Sequence, residues 1–367
     1  MGYSDFNALK KALPQAVRFQ KNGLAVENVN LLRDAFIDEL VYQAVFGKEK
    51  AREAAFWVIW AASQALGCGA GSLQGIRNAV GRGQLRGYQL PVIKIPGLAY
   101  DAARTAIRAA KALECGILVF EISPEDSRET GVDPAEFAAC ALGAAIREDW
   151  DLPVLLQLGP IPADPRTVLS DLGAFTGSVK SLAEAGVRSG FYNIALESGL
   201  SPGSEGTDEL NRYRASMADA IGELRRAAPE GIEIAVFWED GSPEKDSGRL
   251  DLNRAVMRGF TELVFDHPHF PSELGEEIRR DAVALSAEAS GDPQVIDPFI
   301  RKARASGFGT LKRQIWELKQ QIRDDITRRM FARLIYTLKG MEVDMTAEVM
   351  RRHVIPVPVE RQRPERF

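Results

Sequence analysis

The side chains able to do chemistry in this chain cluster at the ends of apolar runs. Lys94 closes PVIK, Glu121 lies in GILVFEIS, Gln157 in LPVLLQLG, and Glu197 near the end of GFYNIALES. Glu239 and Asp240 follow IEIAVFW, and Asp266 with His267 follows FTELVF. Convergent carboxylates can hold a divalent cation or exchange a proton with a substrate. A lysine flanked by Ile93 and Ile95 has the setting of a desolvated amine suited to imine formation. The candidate catalytic residues are therefore Lys94, Glu121, Glu197, Glu239 and Asp240. Gln157, Ser198 and Ser201 are placed to bind substrate, and Asp240 and His267 are weak metal candidates. Each has a plainer reading beside the chemical one. Lys94 reads more readily as the ion-pair partner of a neighbouring strand-end acid, Glu121 and Glu197 more readily as ionic scaffold, and DHPHF at least as well as a helix-capping turn.

For these residues to meet, the apolar runs must be parallel strands whose carboxyl ends share one mouth, where the chemistry of β/α proteins sits. The unit is clearest in AGVRSGFYNIALESGLS, residues 185–201. There a helix ends at Gly186 and again at Gly190, a doubly buried strand follows, and Glu197 precedes a Ser/Gly loop. Strands are expected at 90–96, 115–123, 152–159, 190–198, 232–240 and 260–267. Helices are expected at 100–113, 134–147, 166–185, 208–228 and 251–258. No GxGxxG follows the first of these strands and the units are monotonous, which favours a barrel over an open sheet. The expected fold is α/β, a TIM-barrel-like parallel β/α arrangement, incomplete at six clear strands, with helical extensions at both ends.

Residues 1–87 form the expected N-terminal extension, with helices at 30–46, capped by Asn28 or Asn30, and at 51–66. Residues 88–270 form the barrel-like domain and 271–350 a C-terminal helical segment. In that segment Leu311, Ile315, Leu318, Ile322, Ile326, Met330, Leu334 and Leu338 share one side of a helix. Its basic face reads as solvated surface or as an arm on a neighbouring subunit. The tail 351–367, rich in Pro and Arg, is expected to be disordered or laid across a partner. GRGQLRG, residues 81–87, can meet an anion but lies at the wrong end of its strand for catalysis.

The 367 residues, 45% hydrophobic, suffice for a large core. A net charge of -5 argues against nucleic acid or an anionic membrane as partner. Cys68, Cys115 and Cys140 have no zinc or disulfide spacing, and MGYSDFNALKKAL carries neither a leader pattern nor a spanning run. The cytoplasm is the expected compartment.

The helix LLRDAFIDELVYQAVFG, the stretch GRGQLRGYQLPVIKIPGLAYDAARTAIRAA, the strand GILVFEIS and AGVRSGFYNIALESGLS together resemble the class II, metal-dependent fructose-bisphosphate and tagatose-bisphosphate aldolases over residues 25–270. The resemblance implies a zinc-dependent aldol lyase of carbohydrate metabolism on a β/α barrel. The departures are specific. Where that family follows its third strand with Asp-His, this chain reads Gln157-Leu158-Gly159-Pro160, and the later Gly-rich His segments have no counterpart. The chain between Asp240 and Phe260 is too short for the strands that carry them. Only Glu239 or Asp240 could remain of the metal set, and zinc catalysis needs about three protein ligands and an open position.

The leading expectation is a degenerate aldolase-like pseudoenzyme, a structural or regulatory subunit in a homo-oligomer or beside a catalytic aldolase paralogue. The first alternative is a lyase or isomerase on a phosphorylated or acidic carbonyl compound, with chemistry rebuilt around Lys94. The second is a sensor that binds a small anionic sugar phosphate. No cofactor is expected, with a divalent metal left open.

Overall fold

The structure is a computed structural model that describes residues 6–20, 23–85, 90–95, 99–198, 208–238, 249–251 and 346–357, and positions scattered between 328 and 339. The chain opens with helix α1 (Phe6–Ala12) and a hairpin, β1 (Val17–Gln20) and β2 (Gly23–Val26). A hairpin alone is marginal in water. This one is held by an aromatic triangle in which the Phe6, Phe19 and Trp57 rings lie 5.3–6.2 Å apart. The Asn28 side chain caps the next turn, α2 (Val29–Leu31), by accepting from Leu31 N. Five π-helical residues, Leu32–Phe36, then lead into α3 (Ile37–Phe46), which packs on α4 (Glu49–Ala65).

The sheet begins inside the segment expected to be a helical extension. Strand β3 (Ala70–Ser72) pairs parallel with the start of β6 (Val154–Ala163). It leads into α5 (Gln74–Gly81). The β/α rhythm then follows expectation. β4 (Val92–Lys94) is followed by α6 (Ala99–Ala112), and β5 (Val119–Ile122) by α7 (Pro124–Thr130) and α8 (Pro134–Arg147). After β6 come α9 (Pro165–Ser170) and α10 (Leu172–Arg188), then β7 (Asn193–Ser198), α11 (Asp208–Ala227), β8 (Glu233–Trp238) and β9 (Arg249–Asp251).

Strands β4 to β8 lie side by side in chain order, all parallel, and β9 pairs parallel with β4 at the far edge. A doubly wound sheet reverses its strand order partway. From β4 to β8 the order never reverses, and the strand after β8 lies beside β4, the sequence of neighbours of a curling β/α barrel, with β3 and β10 added beside β6. The fold is α/β with a TIM-barrel-like parallel sheet.

Three expectations are revised. Gly186 does not end a helix: α10 runs through it, because without a Cβ it lets the helix rest on Leu158, where a Cβ would come within 2.9 Å of Leu158 Cδ2. Gly190, at φ +97°, makes the turn instead. Asp251 ends a strand rather than starting a helix, so a strand does fit between Asp240 and Phe260. The first residues after 350 are ordered: helix α12 (Thr346–His353) leads into β10 (Ile355–Pro356), which pairs antiparallel with β3.

Of the long amphipathic helix, positions 331–332, 334–336 and 338–339 are helical, with Leu334 and Leu338 buried. Leu311, Ile315, Leu318, Ile322, Ile326 and Met330 and the strand at 260–267 lie outside the described residues. Among the described residues no helix is long and apolar enough to cross a membrane.

Candidate functional site

Leu158 faces α10 through Gly186, so its neighbour Gln157 points to the opposite, inner face of the sheet. There its Nε2 donates to Glu121 Oε2 at 2.5 Å. The register extends this pair into a row. Lys94, Glu121, Gln157, Asn193 and Glu233 are successive Cα partners across β4, β5, β6, β7 and β8, and Asp251 of β9 is the partner of Lys94 on the other side. The row descends: Lys94 is the last residue of β4, whereas Asn193 and Glu233 are the first of β7 and β8. Tilted strands in a barrel produce such a slope, since a line across the sheet climbs relative to the barrel axis. The expected common mouth is therefore split over levels.

At the carboxyl end, Lys94 Nζ lies 3.2 Å from Asp126 Oδ1 and its side chain is 31% exposed. Lys94, flanked by Ile93 and Ile95, thus takes up the ion-pair geometry that was its plainer reading. Its acid comes from the first turn of α7, not from a strand. Asp126 is fixed in turn by a reciprocal cap: its Oδ2 accepts from Ser123 N (2.9 Å) and Ser123 Oγ (2.6 Å), and Ser123 Oγ accepts from Asp126 N (3.0 Å).

One step down, Glu121 is 1% exposed and Gln157 equally buried. A carboxylate so enclosed depends on its hydrogen bonds. Asn193 is spent on backbone: its Oδ1 accepts from Leu73 N (2.7 Å), and its Nδ2 donates to Leu156 O (2.9 Å) and Gly71 O (3.2 Å). It bridges the place where β3 and β7 share one edge of β6. Glu233 meets Arg77 of α5 at 2.6 Å. Burial pushes its carboxyl above the ordinary value, with Arg77 and Arg225 pulling the other way.

Glu197 lies four residues beyond Asn193 on the inner face, toward the carboxyl end, and is half-buried. Ser198 points the other way and is buried. The fold thus brings Lys94 near Asp126 and Ser123, and Glu121 to Gln157, but leaves Ser198 on the face opposite Glu197. Ser201, Glu239, Asp240 and His267 lie outside the described residues. Ser123 and Asp126 are not among the expected site residues, although Ser-Pro-Glu-Asp is a capping pattern before a helix. Nor is Asn193, since one polar residue in an apolar run carries no signal until register aligns it with others.

The aldolase resemblance implies a zinc site, and the described residues do not fit one. No group of three or more His, Cys, Asp or Glu is placed to hold a metal among them. At the position where an Asp-His pair would stand, Gln157 is bonded to Glu121 and Leu158 is packed into the core.

No protein-family model matches the chain, and no curated protein matches it. Among solved structures, a crystal structure from Coccidioides immitis, provisionally named a fructose-1,6-biphosphate aldolase, matches with a TM-score of 0.35 at 13% identity, over 76% of this chain and 97% of its own. The class defined by fold and site is an α/β protein whose barrel-like parallel sheet carries a polar row on its inner face.

Proposed function

We propose that this chain is an aldolase-like β/α protein that has lost the metal-dependent aldol site and works in the cytoplasm as a structural or regulatory subunit, in a homo-oligomer or beside a catalytic aldolase paralogue. One observation carries the reading. The inner row is engaged from within the fold, Lys94 by Asp126, Glu121 by Gln157, Asn193 by backbone and Glu233 by Arg77. An active site keeps groups aimed at a substrate, whereas these are aimed at one another. The test combines elemental analysis, light scattering and aldol-cleavage assays on sugar phosphates, with the protein alone and mixed with a metal-bearing aldolase. No turnover alone, a mass above one chain and altered turnover of the partner support the proposal. Metal-dependent turnover by the isolated chain overturns it.

A second reading is favoured by the carboxyl-end trio Lys94, Asp126 and Ser123, whose lysine is reachable from solvent. Here the protein is a lyase on a phosphorylated or acidic carbonyl compound, with Lys94 as amine and Glu121 and Glu197 as acid–base groups. Borohydride reduction in the presence of such carbonyl compounds, followed by mass analysis, separates the two. A substrate-sized adduct on Lys94 favours the lyase, and its absence together with absent turnover favours the subunit. A sugar-phosphate sensor is distinguished by binding without turnover.

A further inference from the structure

The last described segment, residues 346–357, lies across the amino end of the sheet, against a glycine of β3 and glycines just ahead of β5 and β8. A Cβ on Gly116, ahead of β5, would fall 2.2 Å from Ala347 Cα, and its three nearest atoms all belong to Ala347. A Cβ on Gly71 of β3 would lie 2.7 Å from Val354 Cγ1, and one on Gly231, ahead of β8, 3.6 Å from Val357 Cγ2. The segment adds Ile355 opposite Ser72 and Pro356 opposite Gly71, buries Val349 and Met350, and ion-pairs Arg351 with Asp151 at 3.0 Å.

We infer that residues 346–357 are a releasable strap that opens as a unit before the core unfolds, and that its seating controls α5 and through it the Arg77–Glu233 pair at the foot of the polar row. The holding forces are small beside those of the core. A helix of eight residues has no stability of its own, the strand pairing spans two residues, and both members of the ion pair are more than half exposed. The connection to the row is direct. Ser72, the partner of Ile355, also accepts from Gln74 N at the start of α5, α12 packs against α5, and Arg77 rides on α5. Leu73, next in the chain, donates its N–H to Asn193.

Hydrogen exchange of the full-length protein, read by mass spectrometry, tests this. Peptides covering 346–357 are expected to exchange about tenfold or more faster than those of β6, by an opening that depends little on denaturant. Gly116→Ala is a wedge aimed at the strap, where its added Cβ meets Ala347 first. It is expected to speed exchange of 346–357 by a further tenfold or so and to raise that of residues 74–81 with it, leaving β6 unchanged. Equal protection of strap and β6 in the wild-type protein overturns the inference, and that comparison stands even if the variant fails to fold. A strap that loosens in Gly116→Ala while 74–81 keeps its protection overturns the link to α5.

Discussion

At the level of the polar row the two faces of the central sheet follow opposite rules. Toward the helices stand Phe120, Ile122, Leu156, Leu158, Ile194 and Leu196, all buried and all apolar. On the inner face, at the same heights, stand Lys94, Glu121, Gln157, Asn193 and Glu233. The outer face needs only hydrophobic bulk of suitable volume, and many sequences supply it. The inner face needs named partners, because a buried polar group without one is penalised more than an apolar group is rewarded. The first face holds the shell on. The second fixes how strands are aligned, since a slip of one residue would put a leucine where Gln157 meets Glu121.

Breaking the outer face has the largest effect. Phe120→Ala removes a fully buried ring and is expected to lower stability by about 3–5 kcal/mol in chemical denaturation, with no change in which residues pair. Asn193→Ala strikes the inner face where β3, β6 and β7 meet. It strips Leu73 N, Gly71 O and Leu156 O of a partner, for an expected loss of about 3 kcal/mol and faster exchange in β3. Gln157→Leu leaves Glu121 without its amide donor and is expected to cost about 1.5–3 kcal/mol. Adding Glu121→Leu should restore most of that loss, since two matched apolar groups carry no desolvation penalty. If the double variant is as weak as the single, the row is not paired as described.

Glu233 offers a smaller, pH-dependent test. Its carboxyl is held above the ordinary 4.5 by burial, so the folded chain keeps this proton more firmly than the unfolded one. Its contribution is then present at low pH and lost as pH rises from about 4.5 through the raised folded value. Melting curves of wild type and Glu233→Gln should therefore diverge in favour of the variant as pH climbs through that window. A difference that does not vary with pH would falsify the assignment. The smallest effect belongs to Lys94→Met: its ion pair with Asp126 is partly exposed and contributes about 1 kcal/mol or less, so any large change must appear in turnover or binding.

The difference between the faces also explains what could be read from sequence. The apolar runs announced β4 to β8 and the helices between them, because burial on the helix side writes itself as Val, Ile, Leu and Phe in blocks. Lys94, Glu121 and Gln157 stood out as polar residues inside such blocks. Their levels did not, because register and strand tilt belong to the sheet and not to any one segment. Asp126 hid on a helix as the partner of a strand lysine, and β3 hid because Ala-Gly-Ser has no strand character of its own. It is a strand by virtue of β6 on one side and β10 on the other.

Helix α8 is enclosed from Glu136 to Ile146 without a gap. In a β/α shell such a helix normally shows one side to water, and that side is where subunits often meet. Here α3 and α4 already lie against it. The N-terminal region thus acts as a neighbour built into the same chain, and it closes this flank to any other. Were another chain to bind, it would have to approach from a different quarter of the shell.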